Sequence, residues 1–225
     1  MNLLAIETST ETCSVAITMD GEVLERYQHA PRLHAELLLP WVEQLMADAG
    51  IGFSSIDAIA FSRGPGSFTS LRIGIGIVQG LAWASDRPVI PVSSLAATAQ
   101  TAANEGVDVA LVALDARMKE VFTGTFEKNS KGLMVPLCAE RVCGPDAVQV
   151  PDHSETYGIG NAFERYPALE ELSGHLLGIR PDIWPKASSI LQLAQDWLTT
   201  HEPLSAEQAQ PVYLRDNVAK KEKDR

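Results

Sequence analysis

The chain opens with short apolar runs separated by polar turns. The runs Leu3–Ile6 and Ser14–Met19 are typical of strands, and the turn between them holds hydroxyl residues and two acids but no glycine. Asp20-Gly21 is a strong hairpin signal, and it predicts a third strand over Glu22–His29. The pattern therefore predicts three antiparallel strands at the start of the fold.

Two helices and a strand are predicted next. Apolar residues recur at helical spacing over Leu33–Ala49, and Gly50 ends the pattern. A buried strand over Ala58–Ser62 enters a glycine loop. Isoleucine and glycine alternate within Thr69–Ser85 as in a strand, but the apolar stretch is too long for one, so we predict a helix. Its interior glycines weaken a helix, which indicates that something packs closely against this backbone.

The rest of the chain starts the opening pattern again. A strand over Pro88–Val92 and a helix over Ser93–Asn104 lead to a boundary at Glu105–Asp108. A buried strand, a turn at Asp115–Lys119 and another strand follow, as they do at the beginning. A further helix is predicted over Ala187–Thr200.

This order of elements predicts an α/β protein of two lobes, each with a mixed sheet and helices. The first lobe is expected over residues 1–105 and a smaller second lobe over 106–204. The C-terminal segment 205–225 is expected to pack back on the first lobe.

Charge argues against direct nucleic-acid binding. The chain has 18 basic and 29 acidic residues, a net charge of −11, whereas contacts with phosphates need a clustered basic surface. The only basic cluster, Lys220, Lys221, Lys223 and Arg225, is a tail that acids interrupt. We therefore expect no autonomous binding of nucleic acid.

The cysteines and the apolar runs indicate the compartment. Cys13, Cys138 and Cys143 are odd in number and lack the spacing of metal ligands. No signal-peptide pattern opens the sequence, because Leu3–Ile6 is too short and Glu7 follows at once. No window approaches the roughly 18 apolar residues of a membrane span. We expect a cytoplasmic protein that makes no membrane contact and has idle thiols.

The glycines do not form a nucleotide-binding motif. Gly64-Pro-Gly66 lacks the third glycine of the dinucleotide fingerprint, Gly74–Gly80 has the wrong spacing, and no lysine completes a Walker A loop. Two interpretations stay open for this loop. It is either a tight turn between strand and helix or an anion site, at which Ser67–Thr69 would offer N–H groups and Arg63 or Arg72 a charge.

Neither a metal site nor a catalytic triad is predicted. The histidines are His29, His34, His153, His175 and His201, and no two of them are three or four residues apart. Cys13 has no evident base beside it, and Ser67 lies outside a G-x-S-x-G motif. The sequence therefore predicts no catalytic residue and no metal ligand.

Five segments carry a family resemblance. They are LLAIETSTETCSVAI, FSRGPGSFTSLRIGIGIVQGLA, VIPVSSLAA, LVALDARMKEVF and PVYLR, in this order. Together they resemble the TsaB (YeaZ) family over nearly the whole chain, and GPGSFTSLRIG is the most specific part.

This resemblance implies an actin/Hsp70-like (ASKHA) fold of two related lobes. It implies a non-catalytic scaffold or activator, not an enzyme, in the machinery that forms threonylcarbamoyladenosine at position 37 of tRNAs. The implied partners are the TsaD transferase, the TsaE ATPase and, in isolation, a second copy as a homodimer. Contact with tRNA is implied only indirectly. No cofactor is implied, and a nucleotide at an interface shared with the partner stays open.

Two departures from related enzymes imply that catalysis has been lost. Where TsaD has the metal ligands H-x-x-x-H, this sequence has Ser94 and Thr98, whose neutral hydroxyls do not replace imidazole. The opening turn resembles the phosphate turn of ASKHA enzymes but lacks its glycine. We interpret it as a vestigial phosphate loop rather than as part of the partner's site. Its residues are Glu7, Thr8, Ser9, Thr10, Glu11 and Thr12.

The resemblance places the partner and dimer interface on helices 33–49 and 69–85. Both helices are apolar over a wider arc than one sheet contact needs, which indicates a second contact. The alternative is that the other lobe covers them. Not all of these side chains fit into one small lobe, so we expect some of them to form a helix-on-helix contact, which Ile75 would join if it lies on the outer face. The expected interface residues are Leu33, His34, Leu37, Leu38, Trp41, Leu45, Leu71, Arg72, Ile75, Val78 and Gln79.

Two other functions stay open. An ATP-dependent ASKHA kinase or a glycoprotease-like hydrolase would need acids in the cleft between the lobes, for which Glu7, Glu11 and Asp115 are candidates. A general dimeric regulator unrelated to tRNA would need only the helix surface. Titration with ATP separates the enzyme from the other two functions.

Overall fold

The computed structural model describes residues 1–153 and 155–215. The basic cluster predicted within 220–225, and the end of the C-terminal segment, lie outside the described residues. Within them, no helix is long and apolar enough to cross a membrane.

The first sheet has five strands. They are β1 (Leu3–Glu7), β2 (Thr12–Met19), β3 (Glu22–His29), β4 (Ala58–Gly64) and β5 (Val89–Ser93). Their order in the sheet is β3-β2-β1-β4-β5. The first three are antiparallel, as the hairpin signal predicted, and β4 and β5 run parallel to β1. Because β1 is central and buried on both faces, all of its residues before Glu7 are apolar.

Three helices follow these strands along the chain. They are α1 (His34–Asp48), α2 (Phe68–Ser85) and α3 (Ser94–Asn104). The ambiguous glycine-rich stretch is therefore a helix, as predicted. The hydroxyl of Ser93 caps α3 by accepting the N–H groups of Leu95 and Ala96.

Within the described part of the chain, the second sheet has six strands. They are β6 (Val109–Asp115), β7 (Val121–Lys128), β8 (Met134–Pro136), β9 (Arg141–Cys143), β10 (Thr156–Ile159) and β11 (Gly178–Arg180). Their order is β11-β10-β6-β7-β8, and β9 also pairs with β7. The accompanying helices are α4 (Ala162–Arg165), α5 (Pro167–Glu170) and α6 (Ala187–Trp197). Short 3-10 helices lie at Phe53–Ser55, Pro145–Ala147, Glu171–His175 and Ala206–Gln208.

The two sheets repeat one topology. In the first, β1 is antiparallel to β2 and parallel to β4, with β5 beyond β4. In the second, β6 takes the place of β1, with β7 antiparallel to it and β10 and β11 parallel. The predicted restart of the opening pattern is therefore confirmed. Two mixed sheets of this order, with their helices, form the actin/Hsp70-like fold that the resemblance implied.

One helix packs across the boundary between the two lobes that the sequence predicted near residue 105. α1 and α2 cover one face of the first sheet, and α6 covers the other face with Ile190 and Leu191. α6 therefore packs on the first sheet, although it lies within the range 106–204 predicted for the second lobe. α3 lies between the sheets, because Ala97 belongs to the first sheet's core and Leu95 to the second's. The lobe ranges otherwise stay a prediction.

Candidate functional site

The hydroxyl-rich turn between β1 and β2 is buried. Glu7 is 0% exposed, Thr8 2% and Ser9 1%, and only Thr10 and Glu11 are half-buried. The turn is therefore covered by protein, and it is not the tip of a hairpin in water. Its proposed descent from a phosphate loop stays a prediction.

Two glycines explain how the turn fits beneath the neighbouring elements. A Cβ at Gly66 would lie 2.3 Å from the carbonyl oxygen of Ser9, and one at Gly74 would lie 2.2 Å from Oγ1 of Thr8. The N–H of Ser67 donates to the same Ser9 carbonyl at 2.7 Å. The close packing that the interior glycines of α2 indicated is therefore confirmed at Gly74, and the turn is what packs there.

Glu7 is a buried carboxyl group at the base of the turn. Its Oε1 accepts the N–H of Ser9 at 2.5 Å, and its Oε2 has no hydrogen-bond partner in the described part of the chain. Burial raises the pKa of Glu7, and hydrogen bonding to Ser9 and Ser62 opposes this effect only in part. Burial, followed by the charge of Glu7, also raises the pKa of Cys13 to about 12. The Cys13 thiol is therefore neutral at physiological pH and is not an activated nucleophile.

The hydroxyls at the positions of the TsaD metal ligands are engaged within the core. The Oγ of Ser94 lies 2.6 Å from the Oγ of Ser62, and the Oγ1 of Thr98 donates to the carbonyl of Ser94 at 2.8 Å. Both Ser94 and Thr98 are fully buried. Over residues 1–153 and 155–215, no three His, Cys, Asp or Glu side chains group as metal ligands would.

A cleft of about 710 Å³ lies between the two lobes. The first lobe contributes the opening turn and the N-terminus of α2, and the second lobe contributes the turn after β6. The polar lining includes Ser9, Thr10, Glu11, Arg32, His34, Ser67, Thr69, Ser70, Asp115, Arg117, Asn161 and Arg215. The cleft therefore brings together Glu11 and Asp115, two of the three acids that an enzyme was expected to need, whereas Glu7 lies buried beneath the turn.

Both cleft acids are held by Arg117. Its Nη2 donates to Oε1 of Glu11 at 2.8 Å, and its Nη1 lies 3.2 Å from Oδ2 of Asp115. Asp115 also accepts the hydroxyl of Tyr166 at 2.7 Å, and its Oδ2 lies 3.2 Å from Nε of Arg165. These arginines balance the charge of both acids, but the buried Oδ2 of Asp115 accepts no hydrogen bond within the described residues.

Part of the interface predicted on α1 and α2 faces the core of the first lobe. Burial removes six of the expected interface residues from the surface, and Ile75, for example, packs in the core of the first sheet. For these six residues the expectation of an interface position is corrected, because they are core residues of the free chain. The stripe that α2 turns inward is the one that carries Gly74, whose missing Cβ lets the helix lie against Thr8 of the opening turn. The buried residues are His34, Leu38, Leu45, Leu71, Ile75 and Val78.

The other expected residues remain accessible. They are Leu33, Leu37, Trp41, Arg72 and Gln79. Leu33, just before α1, and Leu37 and Trp41 on it are spaced by four, as are Ile73, Ile77 and Leu81 on α2. Except for Leu33, these apolar residues are partly buried against the first core and partly open. The interface on these helices stays a prediction. We call the partly open apolar residues between α1 and α2 the apolar seam, and it is the part of the predicted interface that a partner could reach.

Sequence reasoning noted Gly76 and Gly80 as places where backbones can approach closely, but it missed Trp83 on the same face of α2. Trp83 is 72% exposed, and a Cβ at Gly76 or Gly80 would meet nothing within 4 Å. The signal was present, because these three positions are four and three apart and so share one helix face. We define the outer helix face as the set Leu37, Trp41, Ile73, Gly76, Ile77, Gly80, Leu81 and Trp83.

Comparison with known proteins identifies the family. A family model described as TsaD, tRNA N6-adenosine threonylcarbamoyltransferase, matches residues 26–223. The Escherichia coli K12 protein named "tRNA threonylcarbamoyladenosine biosynthesis protein TsaB" is 38% identical over 223 aligned positions, and the match covers 97% of this chain and 96% of that protein. The chain belongs to the TsaB family. The resemblance carried by the five sequence segments is thereby confirmed.

Other TsaB-family proteins agree with this assignment. The TsaB protein of Haemophilus influenzae is 36% identical over 230 residues, covering 97% of this chain and 95% of that protein. A crystal structure from Pseudomonas aeruginosa, described as an uncharacterized protein with similarity to peptidase YEAZ, is 43% identical with a TM-score of 0.89. The structural match covers 95% of this TsaB-family chain and 99% of the Pseudomonas aeruginosa chain. The two-lobed fold is therefore shared over nearly the full length.

Proposed function

We propose that this TsaB-family chain is a non-catalytic subunit of the machinery that forms threonylcarbamoyladenosine on tRNA. In this proposal the outer helix face binds a TsaD-type transferase, and the same face pairs with a second copy when the transferase is absent. A TsaE-type ATPase is a further proposed partner. The transferase, not this chain, contacts tRNA. The observation that carries the proposal is the accessible apolar surface of α1 and α2, with Gly76 and Gly80 beside it. The relatives of this chain are named for threonylcarbamoyladenosine biosynthesis.

The outer helix face has the properties of a protein interface. Trp41 and Trp83 supply aromatic side chains, which are enriched at the energetic centres of interfaces. Gly76 and Gly80 leave the helix backbone uncovered, so that a partner helix can approach to the close end of the usual spacing of about 8–10 Å. An apolar patch of this kind on a surface rich in charge marks an interaction site.

The cleft supports a scaffold rather than an enzyme. Glu11 and Asp115 are engaged by Arg117, and the hydroxyls of Ser94 and Thr98 are engaged within the core. A net charge of −11 also suits a chain that leaves tRNA to its partner. The kinase or hydrolase alternative would have to free these groups. The general regulator would use the same helix face, and it differs only in the partner.

Replacing Gly80 by arginine tests the proposed interface. We expect Gly80→Arg to weaken binding of a TsaD-type transferase by at least about tenfold, because the new side chain occupies the space that the partner's backbone would take. The free chain should stay folded, since a Cβ at this position meets nothing within 4 Å and arginine favours a helix over glycine. Isothermal titration measures the binding, and circular dichroism checks the fold.

Gly174→Arg is the matched control. Gly174 lies in the 3-10 helix Glu171–His175, remote in sequence from α1 and α2, and a Cβ there also meets nothing within 4 Å. It should bind the transferase like the wild type. Equal weakening by both variants would assign the effect to added charge. Full binding by Gly80→Arg would exclude the outer helix face as the interface.

A further inference from the structure

A C-terminal strap, residues 204–215, joins the two lobes. On the first lobe, Leu204 exchanges backbone hydrogen bonds with Val89 at 2.8 and 2.9 Å, and the N–H of Val212 donates to the carbonyl of Arg63 at 2.8 Å. Between these anchors the strap passes through the core of the first sheet, where Ala209 is buried. As far as Val212, the strap is part of the first lobe.

The strap then reaches the second lobe within three residues. Leu214 packs against the core of the second sheet. The Nε of Arg215 donates to Oε2 of Glu120 at 2.8 Å, and its Nη2 donates to the carbonyl of Ala116 at 3.0 Å. Its Nη1 lies 3.5 Å from the sulfur of Met118. The Arg215 side chain is 19% exposed, so all three of its nitrogens are committed to the turn after β6.

The turn that Arg215 holds has an unfavourable backbone. Arg117, Met118 and Lys119 have φ angles of 61°, 54° and 61°, in the left-handed region that residues other than glycine rarely adopt. Such a run persists only where its surroundings fix it. The ring is closed by the N–H of Glu120 to the carbonyl of Arg117 and by the N–H of Ala116 to the carbonyl of Glu120, at 3.0 and 2.9 Å.

A second contact between the lobes ends on the same turn. Glu11 of the first lobe accepts Nη2 of Arg117 at 2.8 Å. Arg117 and Arg215 are thus both paired with carboxylates, although both line the cleft. These two ion pairs connect the lobes, so the two arginines are already neutralised and are not free to bind an anionic ligand.

We propose that Arg215 and the turn Ala116–Glu120 form an interlobe latch that fixes the angle between the lobes. When the latch opens, the turn relaxes to ordinary backbone angles and the cleft widens. The strap also touches α2, since Nε2 of Gln79 donates to the carbonyl of Ala209 at 2.9 Å. The latch therefore links the lobe angle to the helix that carries the outer helix face. This inference does not depend on the identity of any partner.

Pulsed electron spin resonance on the full chain measures the lobe angle directly. Spin labels are placed at Ala47→Cys on α1 and Glu164→Cys on α4, both exposed, after replacement of Cys138 and Cys143 by serine. Cys13 is buried and stays unlabelled. Labelled chain is diluted into an excess of unlabelled chain, so that distances between two copies do not contribute. The otherwise unchanged chain should then give one narrow distance distribution, as expected for a latched pair of lobes.

Arg215→Ala should broaden and shift this distribution by several Å. Amide hydrogen exchange at Ala116 and Glu120 should accelerate by at least about tenfold, because the ring that protects them is released. Amides of β1 should keep their wild-type exchange. An unchanged distribution together with unchanged exchange would overturn the latch and leave α3, which lies between the sheets, to set the angle.

Two further variants control for general damage. Arg26→Ala removes an arginine whose ion pair with Asp48 lies within the first lobe, and it should leave the distance distribution unchanged. Arg215→Lys keeps the charge but lacks the planar fork, so it should broaden the distribution less than alanine does. If Arg215→Ala does not fold, the distance distribution of Arg215→Lys tests the latch instead. A wild-type distribution for Arg215→Lys would then count against the latch.

Discussion

Replacing Gly74 by alanine is expected to destabilise the chain by about 2 kcal/mol, although alanine ordinarily favours a helix over glycine. The new Cβ would lie 2.2 Å from Oγ1, 3.1 Å from Cγ2 and 3.2 Å from Cβ of Thr8. Rotation of the Thr8 side chain relieves the clash only in part, because its Cβ at 3.2 Å must still move by a few tenths of an ångström. Thr8 is buried, so the opening turn must shift as a whole.

Gly76→Ala is the matched control on the same helix. A Cβ at Gly76 meets nothing within 4 Å, so this variant should stabilise the chain by up to about 1 kcal/mol through helix propensity. Urea denaturation of both variants gives the free energies of unfolding. The account requires opposite signs at two positions only two residues apart. A stabilising Gly74→Ala would mean that the turn does not pack on α2 as described.

Glu7→Gln is expected to raise the free energy of unfolding at pH 8 on the order of 3 kcal/mol, because it removes a buried and incompletely paired charge. The amide keeps an oxygen for the N–H of Ser9, and its NH₂ group faces the side where Oε2 has no partner within the described residues. Glutamine is also close to glutamate in size, so the packing of the turn is retained.

The pH dependence of this effect follows from the direction of the pKa shift. Burial raises the pKa of Glu7 above its ordinary value of 4.5, so the folded chain binds this proton more tightly than the unfolded chain. The contribution to stability is complete below pH 4.5 and is lost as the pH rises through the folded pKa. The difference between Glu7→Gln and the wild type should therefore grow from acidic to alkaline pH. A glutamine variant that is less stable than the wild type at pH 8 would contradict this picture.

Local signals carried most of the prediction of the fold. The three opening strands, α2 and the restart of the pattern each depend on alternation, hairpin residues or length within one segment. The choice of interface residues included six buried ones for a physical reason. α2 is apolar on nearly every side, so its sequence gives no indication of which stripe, that of Ile75 or that of Ile77, meets the sheet.

The ion pairs that line the cleft could not be predicted from local sequence patterns, because their partners are far apart in the chain. Glu11 and Arg117 are 106 residues apart, and Glu120 and Arg215 are 95 apart. The sequence identified the glycines as sites of close packing, but only the fold shows that Thr8 is what packs on Gly74. It likewise takes the fold to show that α6 returns to the first sheet.

The central claim is that this chain acts through its helix surface and not through acids of the cleft. Its most direct test is reconstituted threonylcarbamoyladenosine formation on tRNA, with a TsaD-type transferase, a TsaE-type ATPase and this chain. The account predicts that modification requires the chain, falls at least about tenfold with Gly80→Arg, and stays within about twofold of wild type with Glu7→Gln or Glu11→Gln. Full activity of Gly80→Arg together with loss of activity in either glutamine variant would contradict the account and indicate an enzyme.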